Sequence, residues 1–230
     1  MKNLCLALIA SVAVAGSAVA ADMPLKAPVY TPAPPPSWTG CYIGAEGGGN
    51  WGTSSVFDLR LNRPQTDNFS LHGGLGGGTV GCNWQFASSW MIGIEDDMSL
   101  SGKHGAAPDN RVPTTINNVT EPWIDTLRGR LGYVWGQWLF YGTGGAAFAD
   151  GGVQVCSPGA CSLVVTDSRT GWAAGGGIEW AFAPQWSVKV EYIHADFGTA
   201  DYFFNNAGTD ARRVLLRDDI VRAGVNLRFN

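Results

Sequence analysis

Charge is scarce in this chain: charged residues make up 15% of 230 positions, and histidine occurs only at His72, His104 and His194. No stretch is dense in lysine and arginine, so the electrostatic footprint of a nucleic-acid-binding protein is missing. Past residue 21 there is no run of 18 apolar residues, which excludes a spanning helix there, since crossing the hydrocarbon core takes about 20. No Walker lysine follows the glycine cluster GGLGGGTVG at 73–81, so a phosphate cradle has no support. Hydrolytic catalysis needs a nucleophile, a base and an orienting acid held together. The three histidines show no persuasive spacing to a serine and an acid. The sequence therefore predicts no enzyme, no metal site and no cofactor.

The chain starts with Lys2, an apolar core and then Ala18-Val19-Ala20. That pattern is a secretory signal, expected at 1–21 with cleavage after Ala20 or Ala21. Cys5 lies early in the apolar stretch rather than at the cleavage point, so a lipid anchor is not expected. An uncleaved anchor is the alternative, but the apolar core is short for a span. Residues 22–37, DMPLKAPVYTPAPPPS, are proline-rich and read as an extended periplasmic linker or an unstructured remnant. Removing 21 of 230 residues leaves 209, enough for one domain, expected at 38–230. Losing Lys2 leaves 14 basic against 19 acidic groups, a net of −5.

What the chain does have is alternation. In LRGRLGYVW, Leu127, Leu131, Tyr133 and Trp135 share one strand face, and Arg128 and Arg130 share the other. A soluble barrel would turn the charged face to water; a membrane barrel turns it inward and the apolar face to lipid. Eight such strands are expected at 39–52, 71–87, 90–102, 121–136, 138–150, 169–183, 186–198 and 218–230. Tight turns at 87–89, 136–137 and 183–185 alternate with long connections at 53–70, 103–120, 151–168 and 199–217. Membrane barrels sort their loops in this way, with short periplasmic turns and long extracellular loops.

Tryptophan gives a second test. Trp84, Trp90, Trp135, Trp138, Trp180 and Trp186 flank the tight turns, and Trp51, Trp123 and Trp172 lie at the other strand ends. At about 3.3 Å per residue and a tilt near 40°, the two groups stand roughly 20–30 Å apart, matching aromatic girdles on an apolar band about 25 Å tall. The fold class expected is all-β, an eight-stranded antiparallel transmembrane barrel. Its inward face would carry Glu46, Glu95, Asp97, Arg128, Arg130, Glu179, Lys189, Glu191, Arg222 and Arg228, five acids against five bases. An eight-stranded barrel is just wide enough to be filled by side chains, and paired charges can fill it where a lone charge could not.

The stretch SWTGCYIGAEGGGNWG at 37–52 resembles the W-T-G-F-Y-I-G opening of the alphaproteobacterial outer-membrane immunogenic proteins, as do ADMPLKAP before it and VRAGVNLRF near the end. That family is an OmpA-like group within the eight-stranded barrel porin superfamily; it includes major outer-membrane and haemin-binding proteins of rhizobia, brucellae and bartonellae. Cys41 departs from it, standing where an aromatic is usual. The resemblance implies a location in the outer membrane of a Gram-negative bacterium and a structural or surface-antigen role, with no catalytic site. The expected partners are outer-membrane lipid, the barrel-assembly machinery during insertion, and host or environmental surface ligands. The chain ends one residue after Phe229, where such barrels usually end on the aromatic. Haem binding through His72 and His104 near outer loops, or passage of small solutes, is the alternative function.

Four cysteines remain after the signal and suit an oxidising compartment. Cys156 and Cys161 flank a Pro-Gly turn that can bring them together. Cys41 and Cys82 lie on the outward face at the ends of neighbouring strands, where pairing is geometrically open.

Overall fold

A computed structural model describes residues 37–204 and 210–229. The expected signal peptide, and all of the linker except Ser37, lie outside the described residues. Eight long strands run in order: β1 Gly40–Asp58, β2 Phe69–Phe86, β3 Trp90–Pro108, β4 Ile116–Trp135, β5 Trp138–Ser157, β6 Val165–Ala181, β7 Trp186–Phe203 and β8 Ala211–Phe229. Each pairs antiparallel with the next, and β8 pairs back onto β1 from Phe229↔Cys41 to Arg212↔Asp58. The sheet is thus closed, and among the described residues none of the eight long strands is left as an edge. Two-residue bridges, Arg63–Pro64 on β1 and Ala160–Cys161 on β5, brace two of the connections.

One end of the barrel is made by tight turns. Ala87, Ser88 and Gly136 take left-handed φ values of 47°, 62° and 61°. Only Gly136 does so without a Cβ to strain it. At the third turn Ala183 and Trp186 exchange backbone hydrogen bonds of 3.3 Å.

At the other end the strands run further than the sequence predicts. β1 continues to Asp58, β3 to Pro108 and β5 to Ser157, and their partners begin correspondingly early, so much of each expected long loop is sheet. Strands of 17–20 residues, tilted near 40°, rise roughly 45–50 Å, well beyond an apolar band of about 25 Å. Their polarity explains why the extensions look like loop. On β8, Val221 and Val225 face out while Arg222 faces in; nearer the loop end, Val214 and Leu216 face in while Arg213 and Arg217 face out. Beyond the hydrocarbon a strand follows the soluble rule, apolar inside and polar outside.

Two apolar clusters follow from this. One fills the loop-end lumen and includes Leu71, Val119, Val153, Phe197, Leu216 and Ile220. A smaller one closes the turn end with Trp38, Met91, Val134, Leu139, Tyr141 and Ala181.

Candidate functional site

The site that the strands build is the lumen, and alternation decides which side chains enter it. Glu46 on β1, Glu95 and Asp97 on β3, Arg128 and Arg130 on β4, Glu179 on β6, Lys189 and Glu191 on β7 and Arg222 on β8 all point inward and are buried. They converge into one network. The Arg128 guanidinium donates to Glu95 at 3.0 Å, Glu191 at 3.3 Å and Thr126 at 3.0 Å, and also to Asp97. Arg130 donates to Glu95 at 3.2 Å and Glu179 at 2.9 Å, and lies over the Tyr141 ring at 3.9 Å. Lys189 reaches Glu46 at 3.2 Å, Glu95 at 3.1 Å and Glu191 at 3.3 Å.

The carboxylates of Glu46, Asp97 and Glu191 approach one another closely enough to suggest a cation cage. Besides Arg128, which meets Asp97 and Glu191, two cationic side chains already reach all three carboxylates. Arg222 donates to Glu191 at 2.6 Å and to Glu46 and is ion-paired with Asp97 at 2.8 Å, and Lys189 meets the same three carboxylates. Neutral donors complete the network: the Tyr42 hydroxyl donates to Glu95 at 2.6 Å, and the Ser187 hydroxyl to Glu179 at 2.6 Å. Tyr42 fits because its cross-strand partner is Gly81; a Cβ there would meet the Tyr42 hydroxyl at 2.4 Å. Gly145 does the same beside Arg128, where a Cβ would come within 2.1 Å of the Leu127 carbonyl.

Arg228 is inward but stands apart from the carboxylates. Its guanidinium donates to the carbonyls of Ser37 at 3.2 Å and Pro184 at 3.1 Å and covers the Trp38 ring at 4.7 Å. The expected five-against-five balance is corrected accordingly: five acids face Arg128, Arg130, Lys189 and Arg222, while Arg228 ties the chain entry to the last turn. Trp38 is the one tryptophan of ten that points inward, 1% exposed against 68% for Trp135.

A second charged group was missed in the sequence. Lys103 is buried near the loop end, bonding Glu121 at 3.1 Å and also Asp218, while Asn50 donates to Glu121 at 3.1 Å and Asp218 at 3.3 Å. Lys103 keeps the inward parity of Glu95 and Asp97 but falls just past the expected strand end at 102, while the bulge between Thr120 and Trp123 turns Glu121 inward against the parity of Arg128 and Arg130.

The outward face carries Trp84, Trp90, Trp135, Trp138, Trp180 and Trp186 near the turn end and Trp51 and Trp172 towards the loop end, all exposed. Trp123 is half-buried and donates its indole N–H to Asp150 at 2.9 Å. Trp138 stacks on its cross-strand partner Trp180, with centroids 5.8 Å apart. Two carboxylates, Asp96 and Asp125, interrupt the apolar belt among Val80, Met98 and Leu127. Cys41 and Cys82 are register partners and disulfide-bonded, with Cα atoms 3.9 Å apart; Cys156 and Cys161 are likewise bonded, at 4.0 Å. His72 and His104 stand on the outward face of β2 and β3 rather than in loops. His194 bonds Asp219 at 2.9 Å beside the Tyr192 hydroxyl and the Trp172 ring.

Comparison with known proteins agrees with this architecture. The chain is 32% identical to the 31 kDa outer-membrane immunogenic protein of Brucella melitensis, with 100% of both chains covered. It is 29% identical to a 22 kDa outer membrane protein of Rhizobium leguminosarum, covering 85% of this chain and 80% of that one. Among solved structures, the outer membrane protease OmpT of Escherichia coli superposes with a TM-score of 0.50 over 83% of this chain and 97% of that one. At 8% identity that likeness shows the barrel fold alone. Residues 6–229 match the family described as the outer membrane protein beta-barrel domain. The chain therefore belongs to that outer-membrane β-barrel family, together with the outer-membrane immunogenic proteins of Brucella.

Proposed function

We propose that this protein is a non-enzymatic, non-conducting barrel that anchors surface-displayed segments in the outer membrane. The observation that carries the reading is occlusion of the lumen at successive levels. Trp38 and its apolar neighbours close the turn end, the Arg128 network fills the middle, and the Lys103 group and the aliphatic cluster occupy the loop end. A tube this narrow, filled by bonded side chains, leaves no continuous water path. The tight turns face the periplasm and the long connections the exterior, as their lengths suggest. Export by a cleaved signal, insertion by the barrel-assembly machinery, and contact with lipid and with host or environmental surface ligands complete the proposal. Planar-bilayer recording of the refolded mature chain tests it: flat traces are expected, and stepwise conductance would instead assign small-solute passage.

A further inference from the structure

The register aligns His194, Asp219, Trp51, His72 and His104 as successive neighbours on β7, β8, β1, β2 and β3, all on the outward face. This row stands twelve residues above Trp84 along β2. At about 3.3 Å per residue and a tilt near 40°, that is roughly 30 Å, beyond the apolar band and within reach of water. His194 is engaged by Asp219 and Trp172. His72 and His104 instead face each other as direct cross-strand partners, ring centroids 5.9 Å apart.

Their surroundings suit a ligand. His104 Nδ1 lies 2.9 Å from the Gly102 carbonyl oxygen. A carbonyl only accepts, so Nδ1 carries the proton, and Nε2 of the neutral ring keeps its lone pair. Metal-binding imidazoles are oriented in this way, one ring nitrogen held by a carbonyl and the other left to the ion. Gly74 and Gly102, two residues below on the same face, leave the approach open. A Cβ at either would meet nothing closer than a backbone oxygen at 3.9 or 3.7 Å.

We propose that His72 and His104 form a chelating site for a divalent transition-metal ion of the zinc or nickel class, with water in the remaining positions. Imidazole suits these ions, whereas magnesium and calcium prefer oxygen ligands. The site lies outside the barrel and does not depend on the lumen being closed.

Isothermal titration of Zn2+ and Ni2+ into the refolded, tag-free mature chain tests it, with millimolar Mg2+ present throughout. The expected result is one ion per barrel, unaffected by Mg2+. His72→Ala and His104→Ala should each weaken binding by about tenfold or more, and His194→Ala should leave it unchanged. Both rings are exposed, so the variants should unfold at the parent's urea midpoint without metal, and added Zn2+ should raise only the parent's midpoint. Failure to bind at about 100 µM metal, full binding by the double variant, or displacement by Mg2+ would each overturn the site.

Discussion

Arg128 and Leu216 both point into the barrel and both are buried, yet what surrounds them is opposite. Around Arg128, each charge is held by several partners from strands across the lumen. Around Leu216 lie Val214, Ile220, Val56 and other aliphatics. The outer surfaces differ in the reverse sense. Leu127 and Leu131 are exposed beside Arg128, whereas exposed ion pairs, Arg213–Asp201 at 2.7 Å and Arg217–Asp196 at 2.9 Å, lie beside Leu216. What changes along the strand is the solvent outside. Where lipid surrounds the barrel, apolar residues are placed outward and charge, Asp96 and Asp125 excepted, is confined to the lumen. Where water surrounds it, apolar residues return inside and the hydrophobic effect again supports the core.

Breaking either half should cost stability by a different mechanism. The largest effect is expected for Arg128→Leu, which strands several carboxylates in a closed lumen at about 3–5 kcal/mol. Adding Asp97→Asn should recover part of that loss, because one unpaired charge is removed; the readout is the urea midpoint in lipid. Leu216→Ala should cost about 3 kcal/mol through lost burial and a residual cavity. Asp97→Asn should give it no such rescue. Leu127→Arg places a charge against hydrocarbon and should cost about 2–3 kcal/mol, with the loss growing in thicker bilayers. The smallest effect belongs to Arg213→Ala. Its pair with Asp201 is exposed, so a double-mutant cycle should return a coupling far below the three losses above, and added salt should reduce it.

The comparison also explains what could be read in advance. Strand number, tight turns and the inward direction of Arg128 and Arg130 were legible because aliphatic and charged residues alternate with period two across the hydrocarbon. The extensions were not. Near Ile116 to Thr120, Asn117 and Val119 point in and Thr120 points out, so no single face is apolar and the segment reads as loop. Lys103 points inward by the same alternation as Glu95 and Asp97 but lies past the expected strand end, and Glu121 falls beside a bulge, where one extra residue reverses the expected face. Arg228 was placed inward by alternation, but its carbonyl partners come from the chain entry and a turn, which alternation cannot foresee. Trp38 was hidden among nine girdle tryptophans because composition does not tell a plug from an anchor.

The most direct test is an environment-sensitive fluorophore moved one position at a time along two strands, through single cysteines added to the disulfide-intact chain in lipid. Positions 127 and 131 on β4 should be quenched by brominated lipid, and 213 and 217 on β8 by aqueous iodide. Positions 128, 214 and 216 should be protected from both. Lipid quenching at 128, or at 213 and 217, would contradict an inward ion network and the reversal of polarity along each strand.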